Sequence, residues 1–87
     1  MNFALKTLIR FMIGKEKIGG AHIPEDKVLN RTIKWSNKHE RREFEKGYKA
    51  AINEGLIMRV KKRTGKGSDW HISLNPRKLK TIYEKAR

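Results

Sequence analysis

The chain has 87 residues, 37% of them hydrophobic, enough for one small core and too few for a second domain. Its 22 Lys and Arg against 9 Asp and Glu leave a formal charge of +13, so the surface attracts polyanions. With no cysteine there is no disulfide, no thiolate metal site and no Cys nucleophile.

A first helix is expected over residues 2–13. Asn2 suits its cap, and Leu5, Leu8, Ile9 and Met12 recur at i, i+3, i+4 and i+7, with Gly14 placed to end it. Phe3, Phe11 and Ile13 broaden the apolar surface beyond what one neighbour needs, which predicts packing on two sides, by the domain alone or by a second copy. Lys6 and Arg10 interrupt the run at helical spacing, so neither a secretory signal nor a membrane span is expected. Gly19-Gly20 mark a turn, and residues 21–23 suit a short edge strand. The second helix is expected over 24–35: Pro24 fits its first position, Glu25-Asp26 suit the positive end of its dipole, and Val28, Leu29 and Ile33 give it an apolar stripe.

The third helix, 38–54, carries the clearest signals. Asn37 and Glu40 have the spacing of a capping box, in which the Asn side chain accepts an early amide and the Glu reaches back to the Asn amide. Phe44, Tyr48, Ala51 and Ile52 form a core-facing stripe, and Arg42, Lys46, Lys49 and Asn53 a stripe on the opposite side. Gly55 can take the left-handed conformation that ends such a helix. The period then changes from 3.6 to 2. Met58 and Val60, then Trp70, Ile72 and Leu74, alternate with polar residues across Thr64-Gly65-Lys66-Gly67-Ser68, which predicts a hairpin over 56–74. Folding about Lys66 opposes Arg63 to Asp69, Val60 to Ile72 and Met58 to Leu74, and points Arg59, Lys61 and Arg63 away from the core. Asn75-Pro76 then open a last helix, 76–86, whose stripe is Leu79, Ile82, Tyr83 and Ala86.

Three helices, the third followed at once by a glycine and a basic hairpin, resemble the winged helix-turn-helix family in its compact archaeal or bacterial form. The similarity runs from Pro24 to Asn75 and is most specific at Tyr48-Lys-Ala-Ala-Ile-Asn-Glu-Gly55-Leu-Ile and in the passage from Arg59 to Leu74. It implies an α+β fold in which the third helix enters the major groove of duplex DNA and the wing follows the backbone or the adjacent minor groove. By position, Arg42, Lys46, Lys49 and Asn53 would face the groove, and Lys61, Lys62, Arg63 and Lys66 the phosphates. The turn Ser36-Asn37-Lys38 departs from the pattern in having no glycine, which leaves the angle between the second and third helices open. A small cytoplasmic, nucleoid-associated regulator of transcription is the implied role, with a homodimer through the first and last helices as an accompanying expectation.

The residues themselves bear on the same question. Between Arg59 and Lys66 there are five cations and no acid; a solubilising surface mixes signs, although lysines on a hairpin can also serve only to block aggregation. Arg42 and Asn53 are residue types that pair with guanine and adenine edges, while Glu43, Glu45 and Glu54 dilute the charge of their helix. Asn37, Lys38 and His39 sit at a helix start, where the dipole favours a phosphate. His22, His39 and His71 lack metal spacing, so neither a metal nor any other cofactor is expected. Gly65-Lys66-Gly67-Ser68 lies in a hairpin tip rather than before a helix, as a phosphate-binding loop requires. Nothing combines a nucleophile, a base and an oxyanion site, so no enzyme is expected. Trp35 and Trp70 are expected in the core, with stacking on an unpaired base as the alternative for Trp70. The rival readings are an RNA-binding domain of the ribosomal or translation-factor kind, and a protein-interaction module that docks an acidic polypeptide. The absence of glutamine, with so much Lys and Arg, also points to a hot environment.

Overall fold

The computed structural model describes residues 1–64 and 67–87. In chain order it contains α1 (Phe3–Gly14), β1 (Ile23–Pro24), α2 (Glu25–Ile33), α3 (Lys38–Asn53), β2 (Ile57–Thr64), β3 (Gly67–Leu74), a 3-10 turn at Pro76–Lys78 and α4 (Leu79–Lys85). The class is α+β: among the described residues, four helices pack with a three-stranded antiparallel sheet of order β1-β3-β2. No helix among them is long and apolar enough to cross a membrane.

Local chemistry sets the helix ends. Asn2 accepts the Leu5 amide at 2.8 Å, as its position foretold. α1 ends at Gly14, one residue beyond the expected Ile13, but Gly14 does not supply the left-handed conformation, which falls two positions on at Glu16, with φ 55°. Pro24 stands one position before α2 rather than in it, because its extended backbone pairs with His71 across the sheet. α2 ends at Ile33, two residues short of the expected end, and Trp35 is left outside the helix. The capping box of α3 is complete: Asn37 Oδ1 accepts the Glu40 amide at 2.8 Å, and Glu40 Oε1 accepts the Asn37 amide at 3.0 Å. Gly55, at φ 79°, closes its other end; its amide reaches the Ile52 carbonyl and the Leu56 amide the Ala51 carbonyl, the paired bonds of a Schellman motif. The last helix begins as a 3-10 turn, with Asn75 capping Arg77 and also holding the Gly55 carbonyl.

The apolar stripes meet in one core. Leu5, Leu8, Ile9 and Met12 of α1, Val28 of α2, Phe44, Tyr48 and Ala51 of α3, Ile57 of β2, Ile72 and Leu74 of β3 and Ile82 of α4 are all buried in it. Each buried Val, Leu, Ile, Met or Phe among them contributes about 1.5–3 kcal/mol by leaving water. α1 and α3 approach closely at Gly47, where a Cβ would lie 2.8 Å from Asn2 Nδ2 and 3.1 Å from Leu5 Cδ2. Asn2 uses that proximity to donate to the Glu43 carbonyl at 2.8 Å. Around β3 the pairing is dense: β1 flanks one side, β2 the other, and beyond β1 the loop at residues 17–19 takes both the amide and the carbonyl of Leu74.

The hairpin register differs from the expected one by a single residue. Arg59 lies opposite Ile72, Lys61 opposite Trp70 and Lys62 opposite Asp69, and the ladder reaches Thr64 and Gly67. A one-residue slip exchanges the two faces of a strand. Ile57, Arg59, Lys61 and Arg63 therefore share the helix-facing side with Trp70, Ile72 and Leu74, while Met58 and Val60 lie on the other side with Ser73 and His71. The expectation that Arg59, Lys61 and Arg63 point away from the core side is thus corrected. Burial falls steadily along the hairpin, complete at Ile57 and Leu74 and lost by Lys61 and Trp70, so the helix-facing side is solvated in its outer half.

Candidate nucleic-acid interface

The candidate site is built outward from one carboxylate. Glu25, the first residue of α2, has a side chain only 8% exposed, and it accepts three hydrogen bonds. Tyr48 of α3 donates its hydroxyl to Oε2 at 2.6 Å; Arg59 of β2 donates Nε to Oε2 at 2.7 Å and Nη2 to Oε1 at 2.9 Å. A bidentate guanidinium–carboxylate pair fixes angle as well as distance. The hairpin is thus keyed to α2 and α3 at its base.

The titration behaviour of the three groups follows from this geometry. Burial pushes the Glu25 carboxyl up, but the hydrogen bonds from Arg59 and Tyr48 and the Arg59 charge together hold it below the ordinary carboxylate value. Burial, then the bond to Glu25, pushes the Tyr48 hydroxyl well above its usual range, so it stays a donor. The Glu25 bond also raises Arg59, against the opposing effect of burial. On its other side Arg59 lies over Trp70, with its guanidinium carbon 3.9 Å from the ring centroid, and Lys61 Nζ is 5.7 Å from the same ring.

Of the residues singled out from sequence, Arg42, Lys46, Lys49 and Asn53 are all exposed on α3. At about 100° per residue, Lys49, Arg42 and Asn53 lie roughly 100–140° round the helix from Tyr48, on the side away from Gly47. Gly47 meets α1, and Tyr48 meets the carboxylate that holds the hairpin. The stripe therefore faces neither α1 nor the Glu25 contact and stands in solvent. Lys46 is partly engaged, 3.7 Å from Glu43. Lys38 and His39 are exposed on the first turn, whereas the Asn37 side chain is occupied by the cap. In the hairpin, Lys61 and Arg63 are exposed on the helix-facing side and Lys62 on the other. Arg59 is held by Glu25 and Trp70, its side chain 35% exposed, and does not project freely. Lys66 lies outside the described residues.

The aromatic expectation requires correction. Trp35, placed in the core by its spacing, is 89% exposed because α2 ends before it; Trp70 is 39% exposed because the hairpin has by then passed the core. Sequence reasoning missed the keying of Glu25 to Tyr48 and Arg59. The only sequence signals were a Tyr in an apolar stripe and an acid that a helix dipole already explained.

His22 and His71 form an edge-on pair with ring centroids 6.3 Å apart, and the Nδ1 atom of each is buried without a hydrogen-bond partner. Burial first, then Lys62 and His71, lowers the His22 pKa. Among the described residues no group of three His, Asp or Glu could hold a metal. Comparison with family models, curated proteins and solved structures finds no match to this chain.

Proposed function

We propose that this chain is a winged-helix protein that binds duplex DNA, with α3 in the major groove, the β2-β3 hairpin along the backbone or minor groove, and a role as a small cytoplasmic regulator of transcription. One observation carries the reading: α3, which bears the exposed stripe Arg42, Lys46, Lys49 and Asn53, is keyed to the cationic hairpin through Glu25, which Tyr48 and Arg59 share. The order helix, short strand, two helices and hairpin, with β1 beside β3, supports the winged-helix assignment. The formal charge of +13 supports a polyanion as ligand. In this arrangement Lys61, Lys62 and Arg63 neutralise phosphates, Lys38 and His39 add a contact at the α3 start, and Arg42 and Asn53 supply groups able to read base edges.

The test is a salt titration of binding to a labelled duplex. Neutralising about six phosphates gives a log–log slope near −5 between low and moderate salt. Affinity that hardly responds to salt rejects the reading.

A second reading, structured RNA, is favoured by Trp70: half exposed beside Arg59 and Lys61, it offers an aromatic surface to an unpaired base. Competition between a duplex and a stem-loop RNA of equal length decides between them. The RNA reading requires the stem-loop to win and to lose its advantage in Trp70→Ala.

A further inference from the structure

At the start of α3, a groove of about 460 Å³ opens toward the first turn of α1 and the end of α2. Phe3, Ala4, Thr7 and Trp35 supply its apolar wall, and Glu40 and Glu43 its rim. Phe3 is 82% exposed and Trp35 89%, far more than the next large hydrophobic side chains among the described residues. Two bare aromatics in one concave site are the signature of a docking surface, since an anchor side chain placed between them would be desolvated on both sides.

Charge indicates what docks there. The lining contains two carboxylates and, among the described residues, neither Lys nor Arg, on a chain whose surface is otherwise strongly cationic. A polyanion is driven from this groove toward the rest of the molecule. A cation is drawn in. Lys34 already sets its ammonium 5.3 Å from the Trp35 ring centroid, so the indole face accepts positive charge. Glu43 is half exposed in a loose pair with Lys46 at 3.7 Å, which an incoming cation can displace. Glu40 spends Oε1 on the Asn37 amide and keeps a second oxygen for a donor.

We propose that this groove docks a short segment of a partner protein in which an apolar anchor is flanked by Lys or Arg. The anchor seats between Phe3 and Trp35, and the flanking cations meet Glu43 and Glu40. The site is distinct from the hairpin, and it meets the α3 surface assigned to nucleic acid at His39 and through the Glu43–Lys46 pair.

The test uses the full chain and three fluorescein-labelled peptides: a Leu-Phe centre with lysines on both sides, the same centre with glutamates, and a Ser-Ser centre with lysines. Anisotropy titrations should show saturable binding of the first, at least tenfold weaker binding of the other two, and at least tenfold loss in Phe3→Ala, Trp35→Ala and Glu43→Lys. Phe3 and Trp35 are exposed, so far-ultraviolet circular dichroism should be unchanged; should either variant melt lower, Glu43→Lys on the surface still tests the charge requirement. The proposal is overturned by absence of saturation with the first peptide, or by equal binding of the glutamate-flanked one. It is likewise overturned by self-association that Trp35→Ala abolishes, which would identify the occupant as a second copy, or by displacement of the peptide by single-stranded DNA.

Discussion

The two halves of the β2-β3 hairpin are chemically alike in sequence and opposite in situation. At its base, Arg59 is bonded twice to Glu25 and covered by Trp70; farther out, Lys61, Lys62 and Arg63 stand in solvent. The same residue type is thus a fastener in one half and an available charge in the other. What separates the two is a partner from a distant helix, and the distinction predicts that the halves fail differently when mutated.

The largest effect is expected at the shared acceptor. Glu25→Ala leaves the Tyr48 hydroxyl and the Arg59 guanidinium without their carboxylate, at a cost of about 2–3 kcal/mol after allowing for partial solvation of Arg59. At about 4–8 °C per kcal/mol for a domain of this size, the melting temperature should fall by roughly 8–24 °C. A midpoint within a couple of degrees of the parent would erase the distinction between the halves. The outer half should behave in reverse. Lys61→Glu combined with Arg63→Glu should leave stability within about 0.5 kcal/mol, because both side chains are exposed and the Lys61 contact with Trp70 is long. The same pair should weaken duplex binding by about tenfold or more and flatten the salt slope by about 2, one unit for each phosphate contact removed. Unchanged affinity would take the outer cations out of the interface.

Smaller changes sharpen the picture. Tyr48→Phe deletes only the donor to Glu25 and keeps the ring stacked on Phe44, so it should cost about 1 kcal/mol in urea denaturation, with the Arg59 pair intact. The acid limb of stability carries two signatures. Glu25 has a lowered folded pKa, so its contribution is complete above the usual carboxylate range near ~4.3 and disappears as pH falls through the folded value. Glu25→Gln should remove that dependence. His22, lowered by burial and by Lys62 and His71, loses stability earlier, as pH falls below its ordinary value of about 6.5 toward its folded one. Urea midpoints at neutral and mildly acidic pH should therefore differ less in His22→Asn than in the parent, the smallest of these effects.

Much of the backbone was legible because its signals are local. Asn2, the Asn37–Glu40 box and Gly55 act within a few residues, and all three stand where sequence put them. The core stripes of α1 and α3 were equally readable from period. The hairpin register was not. Alternation fits Ile72 and Leu74 equally well to Met58 and Val60 or to Ile57 and Arg59, and the choice falls on the second because Glu25 receives Arg59 on the helix-facing side. Trp35 misled for a related reason: its spacing continues the α2 stripe, but the helix stops two residues earlier and bends through the Ser36 amide bond to the Ile33 carbonyl. On the candidate site, the exposed stripe of α3 was visible in the heptad-like spacing of its residues, whereas the occupation of Arg59 depends on a contact 34 positions away in the chain and leaves no trace in the pattern.

The position of β3 bears on how the chain reaches this state. Its hydrogen bonds run to the loop at residues 17–19 and to β1, segments laid down some fifty positions earlier, with α2 and α3 in between. Loops that long close slowly, and the helices alone leave their apolar sides uncovered until residues 72–74 arrive. Folding should therefore be a single concerted transition limited by strand docking, with the early helices only transiently formed during synthesis and exposed to proteolysis until the last strand is in place.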